Sequence, residues 1–276
     1  MSEPEQLLAV AVEAARLAGG LLLERAARGT EREVSAKSTP TDLVSEADLA
    51  AERAIRELLS ARRPEDGFIG EEGGSAEGTS GLGWVVDPLD GTVNFLFGIP
   101  QWCVSVAVRD EAGAIAGAVF DPNRGELFTA TRGGPSLMSS AGATRVLGGR
   151  GEDPHGEGAS QADLPGLAGA MIATGLAYDA TVRAAQAEVL ARLVPQVRDI
   201  RRFGSAALDL CWTAAGRYDA YFERTVKDWD IAAGSLICER AGLRVLELDP
   251  AENLPWGILA ARPGLAESLR AIVGGA

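Results

Sequence analysis

Residues 85–95, VVDPLDGTVNF, end an apolar run in two carboxylates, Asp87 and Asp90, set among a proline, a glycine and a threonine. Such a run predicts a buried strand, and two carboxylates at its mouth repel each other and resist desolvation. A multivalent cation is the simplest compensation. Three further segments combine acids with small or turn-forming residues: KSTPTDLVSEAD at 37–48, FIGEEGG at 68–74 and VKDWDIAAG at 226–234. Taken singly, any such pair of acids reads more simply as solvated surface in a chain with 39 Asp and Glu. The flanks change the weighting. Glu71 also follows an apolar run, and Asp230 lies between Trp229 and Ile231 at an expected helix start, where unpaired charge is costly. Oxygen-only ligands select hard cations, and magnesium commonly combines carboxylates with substrate phosphate. The turn at Pro88 and Gly91 would aim the Leu89 carbonyl and the carboxylates of Asp87 and Asp90 into one space. A helix beginning near Thr92 would offer backbone N–H groups to an anion, so the chemistry indicated is that of a phosphate ester.

The elements that must position these residues follow from periodicity. Leu7, Val10, Ala14, Leu17 and Leu21 recur at helical spacing and predict a helix over 4–26. A second is expected over 46–61, introduced by Ser45 with Asp48 three residues on, a variant of the capping box. Asp48 therefore has two readings, helix cap and chemical group. Apolar runs at 67–70, 83–87, 104–108 and 115–120 predict strands, the last two forming a hairpin around the turn at 110–113. Residues 133–165 are rich in Gly, Ser and acids, and 148–163, without apolar periodicity, reads as a mobile loop. Beyond it an apolar segment at 169–174, helices at 181–194, 205–216 and 229–241, and strands at 198–202, 218–223 and 243–247 alternate as in an α/β unit. No internal repeat or Pro-rich linker divides the chain.

Composition narrows the function classes. With 276 residues, 46% of them apolar, the chain can bury a large core, and no uninterrupted apolar stretch approaches the roughly 20 residues of a membrane helix. The acidic start MSEPEQLLAV is unlike a basic signal peptide, so the expected location is cytoplasmic. A net charge of −13 argues against nucleic acid or an anionic membrane as partner. Cys103, Cys211 and Cys238 have no metal-ligand spacing and are odd in number, which predicts free buried thiols. The one histidine, His155, falls in the polar stretch GEDPHGEGAS, which excludes histidine-based acid–base chemistry.

In this order and spacing, GEE, DPLDGTVNF, GSAALDL at 204–210 and WDIAAG resemble the signatures of the inositol monophosphatase family, magnesium-dependent and lithium-sensitive phosphomonoesterases within the sugar-phosphatase superfamily. The resemblance covers most of the chain and departs at 133–165, where GGPSLMSSAG stands in place of a Gly-Ala-Asn-Gly turn. It implies a five-layer α/β/α/β/α sandwich in one domain: a metal-bearing half to about 145, a polar loop over 146–165 and an α/β half from 166. It also implies a first magnesium on Glu71, Asp87 and the Leu89 carbonyl, a second on Asp87, Asp90 and Asp230, and a third, looser ion on Glu71 and waters.

By the same resemblance Thr92, hydrogen-bonded to Asp48, would activate the attacking water, with Glu71 counted among the catalytic residues. The N–H groups of Gly91 and Thr92 would hold the phosphate, and Asp90, Ala206, Glu223 and Asp230 would contact substrate. Asp42 and Lys37 would stand near the metals, Lys37 reading equally as a surface ion-pair partner; Glu72 either supports the third metal or is solvated. The implied activity is hydrolysis of inositol 1-phosphate by metal-activated water in a homodimer, with no phosphoenzyme.

Fructose-1,6-bisphosphatases, histidinol-phosphate phosphatases and nucleotide bisphosphate phosphatases share the metal core. Thr-Val-Asn-Phe after DPLDG, GSAALDL, and Glu223 seven residues before Asp230 favour the inositol phosphate branch. Arg201 and Arg202 could supply the second basic pocket of a bisphosphatase, or pair with local acids at a dimer interface. A non-catalytic regulatory relative is a different class of reading, and it would tolerate loss of Asp48 and Thr92, both of which are present.

Overall fold

The structure, a computed structural model, describes residues 1–28, 34–36, 43–148 and 166–275. Glu3–Arg28 (α1) and Glu46–Arg62 (α2) form where the apolar spacing predicts, each with acids in its first turn and arginine in its last, as the helix dipole favours. Leu7, Ala11, Ala14, Ala15, Ala18 and Leu22 make the buried stripe of α1. By length and composition α1 could cross a membrane, but this stripe lies in the core between α1, α2 and a sheet, which accounts for its apolar character. Short antiparallel strands β1 (Val34–Ala36) and β2 (Leu43–Ser45) stand between the two helices. Lys37, Asp42 and His155 lie outside the described residues.

The first sheet comprises β3 (Gly67–Gly70), β4 (Gly74–Ala76), β5 (Gly83–Asp90), β6 (Cys103–Asp110), β7 (Gly113–Asp121), β8 (Glu126–Thr131), β9 (Leu137–Ser140) and β10 (Ala143–Val146). Its order is β10-β9-β8-β7-β6-β5-β3-β4, antiparallel throughout except where β3 runs parallel to β5. The hairpin β9–β10 occupies the Gly- and Ser-rich stretch just before the expected polar loop. Its short strands are hidden among Ser and Gly, and Gly142, at φ 81, supplies the left-handed turn residue. Residues 149–165 lie outside the described residues.

The five-residue helix α3 (Thr92–Leu96) follows β5. The second sheet holds β11 (Met171–Thr174), β12 (Asp199–Arg201), β13 (Ala220–Arg224), β14 (Arg244–Leu248) and β15 (Gly257–Ala261), in the order β12-β11-β13-β15-β14. Helices α5 (Ala206–Ala214) and α6 (Asp228–Arg240) fill the space between the sheets, and α4 (Ala180–Leu193) and α7 (Pro263–Val273) cover the outer face of the second. The layers are therefore α1/α2, sheet, α5/α6, sheet, α4/α7, the five-layer sandwich expected from the resemblance. Small residues let the middle layer close: a Cβ on Gly117 of β7 would lie 2.9 Å from Ala233 Cα of α6, and one on Gly234 would lie 2.6 Å from Leu210 Cδ1 of α5.

One buried cation joins the second sheet to its outer layer. Arg224, 2% exposed, donates from Nη1 to the carbonyls of Asp249 (2.9 Å) and Pro255 (2.7 Å) and from Nη2 to those of Val273 (3.1 Å) and Gly274 (2.8 Å). The last two are carbonyls at the C-terminal end of α7, where a cation is doubly favourable. Arg224→Met should leave these acceptors short of donors in the interior and cost about 3 kcal/mol or more. Urea unfolding checks this, and a loss below about 1 kcal/mol would remove Arg224 as the clamp.

Candidate active site

Pro88 cannot donate to a ladder, and the pairing of β5 with β6 shifts register between Asp87 and Asp90. That break lets two nearby carboxylates leave the sheet. The Leu89 N–H donates to Asp87 Oδ1 at 2.9 Å and closes the turn. Gly91 then adopts φ 102, and a Cβ there would lie 2.9 Å from the Gln101 carbonyl oxygen, so conformation and space both demand glycine. Immediately after it, Thr92 Oγ1 stands 2.8 Å from Asp48 Oδ1 and 3.1 Å from the Leu89 carbonyl oxygen. Asp48 is fully buried in the first turn of α2, so the partnership with Thr92 is realised.

The second half of the chain supplies support for the acids. Asp90 accepts from Ser205 Oγ and Ala207 N–H, both at 2.7 Å, and from Ala206 N–H at 3.2 Å. GSAALDL is thus a helix start made of small residues, whose first N–H groups meet a carboxylate from the other sheet. Asp230 sits in the first turn of α6, where its Oδ2 accepts from Lys227 N–H at 2.7 Å. Asn94 ties the halves together, its Nδ2 within 2.8 Å of the Gln101 carbonyl and 2.6 Å of the Phe203 carbonyl. On β13, Tyr221 and Glu223 share a face, and the Tyr221 hydroxyl donates to Glu223 Oε2 at 2.9 Å.

Glu52 is a site residue that sequence reasoning missed. It lies on the buried face of α2, four residues after Asp48, and its Oε2 accepts from Glu72 N–H at 2.7 Å. A Cβ on Gly70 or Gly73 would come within 2.5 Å or 2.1 Å of this carboxylate, so the GEEGG loop is wrapped around it. The available signal was an acid on an otherwise apolar helix stripe. Glu72 itself is half-buried, and its backbone contributes to this support.

Glu71, Asp87, Leu89, Asp90, Gly91 and Thr92 line one cleft of about 400 Å³ together with Ala206, Glu223 and Asp230. Every implied site residue that is described therefore reaches this cleft, apart from Glu72 and from Asp48, which stands behind Thr92. Arg202 and Lys227 bring positive charge to the same walls. Arg201 pairs with the local acid Asp199, whereas Arg202 lines the cleft. Cys103, Cys211 and Cys238 are free and buried, as predicted, and the Cys103 thiol lies 3.7 Å from Asp90 Oδ2.

Burial, followed by repulsion from Glu71, Asp90 and Asp230, drives the pKa of Asp87 well above the carboxylate range. Asp230 rises for the same reasons, burial first and then Asp90 and Glu71. Burial lifts Asp90 to about 6, with its Ser205, Ala207 and Ala206 donors opposing the rise. Burial lifts Glu223 to about 7 against the Tyr221 hydroxyl and the Arg202 charge. Among the described residues the acids do not form a closed ligand cage. What suits a cation is the donor chemistry: oxygen ligands only, drawn from the first sheet and from α6, with Asp87 and Asp230 raised in pKa by burial and by the acids around them.

The profile of the inositol monophosphatase family matches residues 3–273. The chain belongs to the inositol monophosphatase family. It is 42% identical to the inositol-1-monophosphatase of Mycobacterium leprae, over 98% of this chain and 94% of that protein. It is 39% identical to a Pasteurella multocida protein named Nus factor SuhB, over 95% and 94% of the two chains. The crystal structure of the extragenic suppressor protein suhB from Bartonella henselae superposes with a TM-score of 0.85 at 32% identity, covering 97% of this chain and 98% of that one. Family membership makes this a phosphatase fold whose members are generally metal-dependent.

The raised acids set a pH dependence. Asp90 moves from 3.8 to about 6 and Glu223 from 4.5 to about 7, so the folded chain holds protons that the unfolded chain has released. Their contribution is greatest below about pH 4 and is lost as pH rises to about 7. The metal-free protein should therefore lose thermal stability across this window relative to a Glu223→Gln variant, and saturating magnesium should shrink the loss. Parallel melting curves for the two proteins would contradict it.

Proposed function

We propose that this chain is a magnesium-dependent phosphomonoesterase that hydrolyses inositol 1-phosphate to inositol and phosphate. The observation that carries the proposal is the Thr92–Asp48 pair, 2.8 Å apart, set beside Asp87 and Asp90 in a cleft that also contains Glu223. Glu71, Asp87, the Leu89 carbonyl, Asp90 and Asp230 would hold two to three magnesium ions, which when bound neutralise phosphoryl oxygens, acidify water and stabilise the leaving alkoxide. Thr92 Oγ1 donates to Asp48, which leaves the oxygen able to accept from a water. As water attacks phosphorus, its proton passes to Thr92 Oγ1 while the hydroxyl proton passes to Asp48. The N–H groups of Gly91 and Thr92 hold the phosphate, and Glu223 accepts from hydroxyls of the departing alcohol, with Asp90, Asp230 and Ala206 along the same wall.

Relatives named Nus factor raise a binding role without catalysis. A binding module needs no water-activating pair, and the buried Asp48 is costly to keep without one. A homodimer in the cytoplasm and sensitivity to lithium belong to the same proposal.

The test is phosphate release from inositol 1-phosphate in magnesium or chelator, for the wild type, Asp48→Asn, Thr92→Ala and the double variant. Activity should require magnesium, each single change should lower kcat by about 10²–10⁴, and the double variant should be far less than additive. Magnesium-independent turnover would remove the metal from the account. Multiplicative losses would separate Asp48 from Thr92.

A further inference from the structure

Arg202 differs from the arginines around it. Arg124, Arg201 and Arg217 are paired with Asp121, Asp199 and Glu126. Arg202 makes no ion pair or hydrogen bond among the described residues, yet it lines the cleft. Its seat is built. Asn94 Nδ2 binds the Phe203 carbonyl at 2.6 Å and the Gly204 carbonyl at 3.3 Å, fixing the loop against α3. Gly204 has φ 81, and a Cβ there would lie 2.6 Å from Arg202 Nη1, so the guanidinium lies against bare backbone.

The acceptor within its electrostatic reach is equally fixed. Tyr221 donates to Glu223 at 2.9 Å, and a Cβ on Gly175 would fall 1.9 Å from Glu223 Cδ, so the carboxylate rests on glycine. Arg202 and Glu223 line the same cleft, and the Arg202 charge opposes the rise that burial causes at this carboxylate. A held donor beside a held acceptor matches two neighbouring hydroxyls, one accepting from the guanidinium and the other donating to the carboxylate. A second phosphate at this place would meet the Glu223 charge, which disfavours a bisphosphate.

We propose that Arg202 is a specificity-determining residue that acts with Glu223 to read adjacent hydroxyls on the alcohol of the phosphate ester. The inference rests on the phosphomonoesterase reading above and assigns its polyol preference to a residue outside the acidic motifs.

The experiment measures kcat and KM for the wild type, Arg202→Ala and Arg202→Lys on three esters in magnesium: inositol 1-phosphate, p-nitrophenyl phosphate and fructose 1,6-bisphosphate. Loss of a hydrogen bond from a charged group should raise KM for inositol 1-phosphate about tenfold or more in Arg202→Ala, with kcat changed less. The loss should exceed that on p-nitrophenyl phosphate, which offers no hydroxyl, and Arg202→Lys should recover part of it. Equal losses on these two esters, or no loss, would overturn the inference. A larger loss on the bisphosphate would overturn it in favour of a second anion site. A wild type inactive on all three would sink the phosphomonoesterase reading and this one with it.

Discussion

The structure turns on the cost of keeping several carboxylates together in a largely buried cleft. Asp87 and Asp90 are 2% and 8% exposed, and each is driven toward its neutral form by burial and by its neighbours. The surroundings answer with oriented donors. Asp90 lies on the first N–H groups of α5 and Asp230 within the first turn of α6, so helix termini face the cluster from the middle layer. The proposed cation would complete what these partial charges begin.

That requirement explains why the fold needs both sheets. Glu71, Asp87 and Asp90 come from the first, and Glu223 from the second, while Asp230 rides on the layer between. The break in β5, the left-handed Gly91 and the turn into α3 make room for the acids. Asn94, two residues beyond Thr92, binds the loop before α5 and holds the halves in register. Gly117 and Gly234 bring α6 against β7 and α5, which sets how far Asp230 stands from the strand that carries Asp87.

Much of this was legible in the sequence because it is local. DPLDGT encodes its own turn, acids after apolar runs announce buried charge, and the motif set carries the family and its five layers. What escaped depends on partners distant in the chain. Glu52 looks like one more acid on a helix until the GEEGG loop closes around it. Arg202 looks like half of a surface pair until Gly204 seats it in the cleft, and Arg224 becomes a clamp only when the end of α7 arrives. Strand β15 and α7 lie beyond the alternation that ends at 247, and the apolar run 257–261 and Pro263 at a helix start are their signals. Asp48 was ambiguous for the opposite reason: one residue type suits both a helix start and a proton acceptor, and only the position of Thr92, 44 residues away, distinguishes them.

Under the proposed function, magnesium would replace protons on mutually repelling carboxylates. Calorimetric titration of the metal-free protein with magnesium near pH 6.5, repeated in two buffers of different ionisation enthalpy, counts protons directly. Net proton release on binding, falling away as pH is raised to about 8.5, is the predicted result. Binding with identical heats in both buffers, or no binding, would contradict the account.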